Sequence, residues 1–420
     1  MKKALISTLA ALLLLPFAGA QESAPKLKWY GFIRNYYAFD TRESVAGTED
    51  LFYYLPKDEK IVDGVDLNAS NSFRFAALTS RLGLDVLGYE YKGWKMGAKI
   101  EADFYAGLTG STGTATLRLR QAYATIAKDQ LSFKLGQAWH PLAADMPDVF
   151  SLNSGAPFNP FSRTPMASVD WKFAKAFSLS AAALWQMQYV SAGPKGAVGE
   201  GTAYSADYIK YGCTPEMYFG LNYSSDGLLA RVGVDVLSIK PRRLDVTGTR
   251  KVSDRITTVS PFAYLQYSKG AFTAKAKTTY AQGGEHLNLN GGYALNSINA
   301  DGSWNYTPTR NSSSWLSVKY GKILQGVLFL GYVKNFGTKD EILNVSDIYF
   351  SKNSFANMNS MYRITPAVIY NFGKLALGLE YELTSVQYGS WGDDFKYGLA
   401  TKDLHWVSNH RVQTMIKFTF

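Results

Sequence analysis

Residues 94–104 read WKMGAKIEADF. Trp94, Met96, Ala98, Ile100, Ala102 and Phe104 point one way, and Lys95, Gly97, Lys99, Glu101, Asp103 and Tyr105 point the other. A period of two places successive side chains on opposite faces of a β-strand, so this stretch has one apolar and one charged face. The charged face must meet water or ion-pair partners. The same alternation runs through residues 130–135, 177–189, 375–383 and 412–420.

The composition agrees with strands that are apolar on one side only. The chain holds 28 Tyr, 24 Phe and 9 Trp, 15% aromatic residues in all, yet its mean hydropathy is -0.14. Its apolar residues are therefore spread out in alternation, the pattern of a lipid-facing β-barrel. The one long apolar run lies at the start: Lys2 and Lys3 precede residues 4–15, followed by Pro16 and Ala18-Gly19-Ala20. It is too short for a membrane-spanning helix and is expected to be a signal peptide, residues 1–20, cleaved before Gln21. The formal charge of +10 falls to about +8 once Lys2 and Lys3 leave with that peptide. No basic run or recognition motif accompanies the charge, so nucleic acid is not an expected partner; anionic solutes and the anionic headgroups of outer-membrane lipid and lipopolysaccharide are. The single cysteine, Cys213, can form no internal disulfide and reads as incidental.

Segments of this kind are joined alternately by short and long connections. The short ones are 92–93, 128–129, 174–175, 225–227, 269–270, 321–325 and 373–374. Most supply glycine or aspartate for hairpin turns. The long ones fall near 41–70, 107–114, 140–164, 191–214, 240–254, 282–309, 337–359 and 389–407. Eight long loops and seven short turns imply about sixteen strands in one antiparallel all-β barrel over residues 21–420, with the short turns on the periplasmic side. A weak repeat supports the count. Every second strand ends on an aromatic, at Phe173, Tyr223, Tyr267, Tyr320, Phe372 and Phe420, with steps of 50, 44, 53, 52 and 48 by subtraction. These aromatics mark an interfacial girdle. Thr164-Pro165, Thr214-Pro215, Ser260-Pro261 and Thr365-Pro366 are expected at the upper rim or at bulges, because proline removes a ladder hydrogen bond. A soluble sandwich would alternate too, but it has no reason to separate short from long connections, and it rarely reaches this length.

The chain ends on Phe420, preceded at alternate positions by Phe418, Ile416, Thr414 and Val412. This resembles the C-terminal strand of outer-membrane proteins, which implies Phe418 and Phe420 as the signal read by the barrel-assembly machinery. The mature chain resembles the sixteen-stranded porin superfamily of Gram-negative outer membranes. That resemblance implies a third loop folded into the lumen, here HPLAADMPDVFSLNSGAPFNPFSRTP after the fifth strand. More narrowly the chain is similar to the DcaP-like porins, which implies a homotrimer associated with small carboxylates. It departs from that group in having only residues 21–26 before the first strand, too few for their periplasmic coiled coil.

With the apolar faces assigned to lipid, the lumen receives Arg34, Arg74, Arg81, Arg118, Arg120, Arg363, Arg411 and Lys417. Closure would cluster these cations on one wall, interleaved with Glu101, Asp103, Glu380 and Glu382. They can act as a lattice of cross-strand ion pairs, as a positive ladder that attracts anions, or as both. Loop three carries Asp145 and Asp148 among Met146, Val149, Phe150, Phe158 and Phe161, more apolar surface than an exposed loop needs. Its aspartates are expected to face the arginine wall across a constriction. The expected function is passive diffusion of small polar solutes, favouring small anions. The alternative is a barrel protease or acyltransferase with a rim active site. His140, His286, His405 and His410 fall in separate loops or at the start of the last strand, without a metal-spaced pair, nucleophile elbow or phosphate loop. No catalytic residue, metal or cofactor is therefore expected.

Overall fold

The computed structural model describes residues 25–47, 50–104, 108–109, 114–392 and 395–420. The expected signal peptide, Tyr105 and most of the expected loop 107–114 lie outside the described residues.

Sixteen strands form the barrel: β1 Lys26–Asp40, β2 in two pieces Ser72–Ala76 and Arg81–Tyr91, β3 Trp94–Asp103, β4 Arg118–Lys128, β5 Leu131–Trp139, β6 Arg163–Trp171, β7 Phe177–Leu184 and β8 Glu216–Ser225; then β9 Leu228–Ile239, β10 Ile256–Lys269, β11 Phe272–Gln282, β12 Trp304–Gly321, β13 Leu324–Thr338, β14 Met358–Phe372, β15 Leu375–Ser390 and β16 Lys402–Thr419. Each pairs antiparallel with its neighbour in sequence. β1 closes the ring: one edge pairs with β16 from Phe32↔Thr419 to Asp40↔Arg411, and the other pairs with the two pieces of β2, from Lys26↔Leu87 to Phe32↔Arg81 and from Tyr36↔Ala76 to Asp40↔Ser72. Closure leaves no open edge, which a sheet crossing hydrocarbon cannot have. Among the described residues no helix is long and apolar enough to cross a membrane.

The burial pattern is that of a soluble protein turned inside out. On β16, Val412, Ile416 and Phe418 are 38, 51 and 46% exposed, whereas Asn409, Arg411 and Gln413 are 0, 1 and 1% exposed. On β13, Leu328, Leu330, Tyr332 and Phe336 face outward while Asn335 is buried. Only an apolar solvent makes such an outer face favourable.

The turns follow from residue chemistry. Lys92-Gly93 and Asp226-Gly227 have both φ values positive, as the two-residue turn that matches strand twist requires. The prolines are a partial correction. Pro165 is near the start of β6 and Pro215 just precedes β8, but Pro261 and Pro366 lie inside β10 and β14. There the ladder yields instead. β10 pairs with β11 only from Phe262 onward, and β14 has no Cα partners on β15 at Thr365 and Pro366. A residue without an amide hydrogen costs nothing where no partner carbonyl waits.

Among the described residues several long-loop segments occupy the interior, two of which meet at its centre. Residues 140–162 contact strands on opposite sides of the ring. The Tyr36 hydroxyl of β1 donates to the Phe150 carbonyl at 2.6 Å, and Trp315 Nε1 of β12 donates to Asn159 Oδ1 at 3.1 Å. A segment outside the barrel could not reach both. Residues 51–56 of the first long loop are also buried throughout. Phe52 packs edge-on against Phe161 with ring centroids 4.9 Å apart, and the Tyr54 and Tyr189 hydroxyls meet at 2.9 Å. Phe52, Tyr54, Leu55, Leu142, Phe150, Phe158 and Phe161 join one apolar cluster with inward residues of the wall. One inward loop was expected from the sequence; among the described residues 51–56 and 283–295 turn inward as well and pack against 140–162.

Candidate functional site

The acids of β3 organise the first charged group. Glu101 and Asp103 alternate with lipid-facing Ile100 and Ala102, so both turn inward, where they are 5 and 2% exposed. Arg120 of β4 donates to Glu101 Oε1 and to Asp103 Oδ2, each at 2.7 Å. Arg118 forks onto Asp103 at 3.1 and 3.0 Å, and Arg81 of β2 lies 3.6 Å from Glu101. Bidentate and buried charge-assisted pairs of this kind hold side chains in one geometry. Arg34 of β1 donates to Thr79 Oγ1 at 3.0 Å and lies over the rings of Phe32 and Tyr36. Lys417 lies over Phe32 from the other side of the β1–β16 seam, and neither it nor Arg34 has a described ion-pair partner.

These groups border a cavity of about 380 Å³ lined by Arg34, Arg81, Asp103, Arg118, Arg120 and Lys417. Trp139, Phe150 and Phe161 form its apolar side. Five cations thus meet two carboxylates, Asp103 at the lining and Glu101 behind it. The arginines here form an ion-pair lattice in which cations outnumber carboxylates.

The remaining expected wall residues go elsewhere. Arg74 is exposed and pairs with Asp50 of the first long loop at 2.8 Å. Arg363 and Arg411 are each 1% exposed, which corrects the expectation that they line an aqueous path. Arg363 donates to Thr384 Oγ1 at 2.8 Å, to the Ala156 carbonyl at 2.9 Å and to the Tyr54 carbonyl at 2.6 Å. Arg411 donates to the Asp50 carbonyl at 2.9 Å and lies 3.4 Å from Asp40. Both are struts that bind inner loops to the wall. Glu380 and Glu382 do the same, accepting from the Phe150 amide at 3.1 Å and from Asn153 Nδ2 at 3.3 Å. Arg163, 2% exposed over Trp139, was missed; it sits where a long loop rejoins a strand, and no alternation assigns it a face.

The loop-three aspartates also depart from expectation. Asp145 accepts from Arg231 Nη1 at 2.8 and 2.9 Å, and Asp148 lies 3.0 Å from Lys275 and 2.8 Å from Lys319. They face β9, β11 and β12, not the arginines of β1 to β4. A cation on each of those strands claims them at contact distance. A second cavity, of about 780 Å³, lies on the β5–β9 side and is lined by Lys134, Asp170, Asn222, Tyr218 and Arg231.

The histidines are not all scattered. His140 Nε2 lies 2.7 Å from Glu216 Oε1, and His286 Nε2 lies 3.2 Å from the same oxygen. His405 binds Asp58 at 2.7 Å, and His410 binds the Tyr381 hydroxyl at 2.6 Å. At the terminus, Phe418 and Phe420 are exposed on the outer face, and Phe420 exchanges both backbone hydrogen bonds with Gly31.

A closed antiparallel ring of sixteen strands, apolar outside and charged within, is a porin-type barrel. No family model and no curated protein matches the chain. Solved structures do. The outer membrane channel DcaP of Acinetobacter baumannii matches at 18% identity and TM-score 0.67, over 94% of this chain and 98% of that one. An anion-selective porin from Comamonas acidovorans matches at 11% identity and TM-score 0.54, over 94% and 100%. OmpT, an outer membrane protein of Vibrio cholerae, matches at 10% identity and TM-score 0.53, over 96% and 100%. The chain has the fold of the sixteen-stranded porins.

Proposed function

We propose that this chain is an outer-membrane channel through which small polar solutes diffuse passively, with a preference for small anions such as carboxylates. Residues 1–20 direct export and are removed, Phe418 and Phe420 address the chain to the barrel-assembly machinery, and the barrel works as a homotrimer. The observation that carries the selectivity is the cavity beside loop three, where five cationic side chains meet two carboxylates. Charge in a cleft with low-dielectric walls focuses its field and concentrates counter-ions. Arg34 and Lys417, without ion-pair partners among the described residues, are the charges most available to a passing anion. An enzymatic reading gains little from His140 and His286, because both are buried to within 2%.

Reconstitution in a planar bilayer under a salt gradient tests the reading. The reversal potential is expected on the chloride side. Replacing Arg34 and Lys417 with glutamine, or Arg118 and Arg120 with glutamine, moves it toward cations, and the shift shrinks at high salt. Absence of conductance overturns the channel; a wild-type preference for potassium overturns the anion assignment alone.

A further inference from the structure

Four side chains that permeation does not use meet at the long-loop end of the interior. His140 begins the 140–162 segment, Glu216 is the first residue of β8, Asp235 lies on β9, and His286 lies in the short turn Glu285–Leu287 between β11 and β12. They are 1, 1, 1 and 2% exposed. The only ion-pair partners described for Glu216 and Asp235 are the two imidazoles. Two carboxylates are thus withdrawn from water without a lysine or arginine, an arrangement that is costly unless a cation balances it.

The hydrogen bonds divide the two histidines. The Leu142 amide donates to His140 Nδ1 at 3.1 Å, so the proton of His140 is on Nε2, which donates to Glu216 Oε1 at 2.7 Å. His286 is different. Its Nε2 lies within ion-pair distance of both carboxylates, yet neither of its ring nitrogens, nor Asp235 Oδ1, meets a partner in hydrogen-bonding geometry. Buried polar atoms are nearly always partnered, so His286 Nε2, which faces both carboxylates, and Asp235 Oδ1 together point to a ligand. Its size follows from the spacing. His286 Nε2 is 3.2 Å from Glu216 Oε1 and 3.7 Å from Asp235 Oδ2, and the two carboxylates bring oxygens within 4.8 Å of each other. Ligand atoms around a tetrahedral zinc, with bonds of about 2.0 to 2.2 Å, lie about 3.3 to 3.6 Å apart.

We propose that His286, Glu216 and Asp235 bind a divalent transition-metal ion of the zinc class, with His140 positioning Glu216 through its Nε2 proton. An imidazole donor and so compact a set select zinc, cobalt or nickel over magnesium and calcium, which take larger all-oxygen shells. The ion neutralises both carboxylates and ties the root of the 140–162 segment, the β8–β9 hairpin and the loop after β11 into one clasp.

The test uses the full chain purified in detergent and stripped with a chelator. Titration with cobalt(II) is expected to give the visible bands of tetrahedral coordination at one ion per chain, displaced by zinc and not by excess magnesium or calcium. Asp235→Asn and His286→Gln abolish the bands, while His140→Gln weakens binding by about 10- to 100-fold, as loss of a positioning partner does. His405→Gln, at the half-buried Asp58 pair, leaves binding unchanged. Heat-modifiable electrophoretic mobility checks that each barrel is folded. A wild-type protein without stoichiometric cobalt bands overturns the proposal whether or not the variants fold, and so does binding that survives in both folded variants.

Discussion

Removing the Arg363 side chain should loosen the two inner segments without opening the barrel. The guanidinium is 1% exposed and donates to Thr384, Ala156 and Tyr54, so one group binds β15, the 140–162 segment and residues 51–56 to β14. Its rings of contact are Tyr53 and Phe158, each at 5.1 Å, and Glu382 lies 3.6 Å away. Arg363→Ala removes a donor from the Ala156 and Tyr54 carbonyls and leaves Glu382, 2% exposed, without its cation. Breaking a buried pair on one side costs about 3 to 5 kcal/mol. The barrel ladders do not depend on this residue, so the cost falls on local opening of the inner segments, whose equilibrium shifts by about a hundredfold to a few thousandfold. Hydrogen exchange followed by mass spectrometry reads it. Amides at 51–56 and 153–158 should exchange faster by that factor while β12 and β13 keep wild-type protection. Unchanged exchange in both inner segments, in a folded barrel, would refute the strut.

Further expectations concern other parts of the chain. Replacing Asp145 and Asp148 with asparagine frees Arg231, Lys275 and Lys319, and should move the bilayer reversal potential further toward chloride; an unchanged potential would show that neither the aspartates nor those cations act on the path. Deleting Phe420 should lower the yield of heat-modifiable protein in the outer membrane, and an unchanged yield counts against its role in assembly. The carboxyl of Asp66, in the first long loop, is held below the usual carboxylate range by the Lys60 amide, with further bonds from Arg42 and the Asn68 amide. A depressed folded value means that its contribution is present above the ordinary carboxylate value of about 3.9 and fades as pH falls through the depressed one. Protection of residues 58–68 from acid-active proteases should therefore hold at pH 4 and weaken only below it, and weakening already at pH 5 would contradict the assignment.

The barrel itself was legible in the sequence because everything that specifies it is local. Alternation along 94–104 and 412–420 assigns each strand two faces, Lys92-Gly93 and Asp226-Gly227 carry their own turn geometry, and an outward Phe418 needs no distant partner to face lipid. Strand number and the inward direction of Arg118, Arg120, Glu101 and Asp103 follow from the same period. What alternation cannot say is which inward charge meets which. Arg363 and Arg411 read as lumenal, but they are covered by residues 50–56, more than 300 positions away in the chain, and Asp145 and Asp148 are claimed by β9, β11 and β12. The irregular loops have no period to read, so the inward path of residues 51–56 gave no signal beyond Leu51, Phe52, Tyr53, Tyr54 and Leu55 standing together where a solvated loop would not put them. His140, Glu216, Asp235 and His286 come from four separate elements and share no spacing motif. Only closure of the ring, which makes neighbours of strands remote in sequence and leaves the loops an interior to fill, brings them within 4 Å.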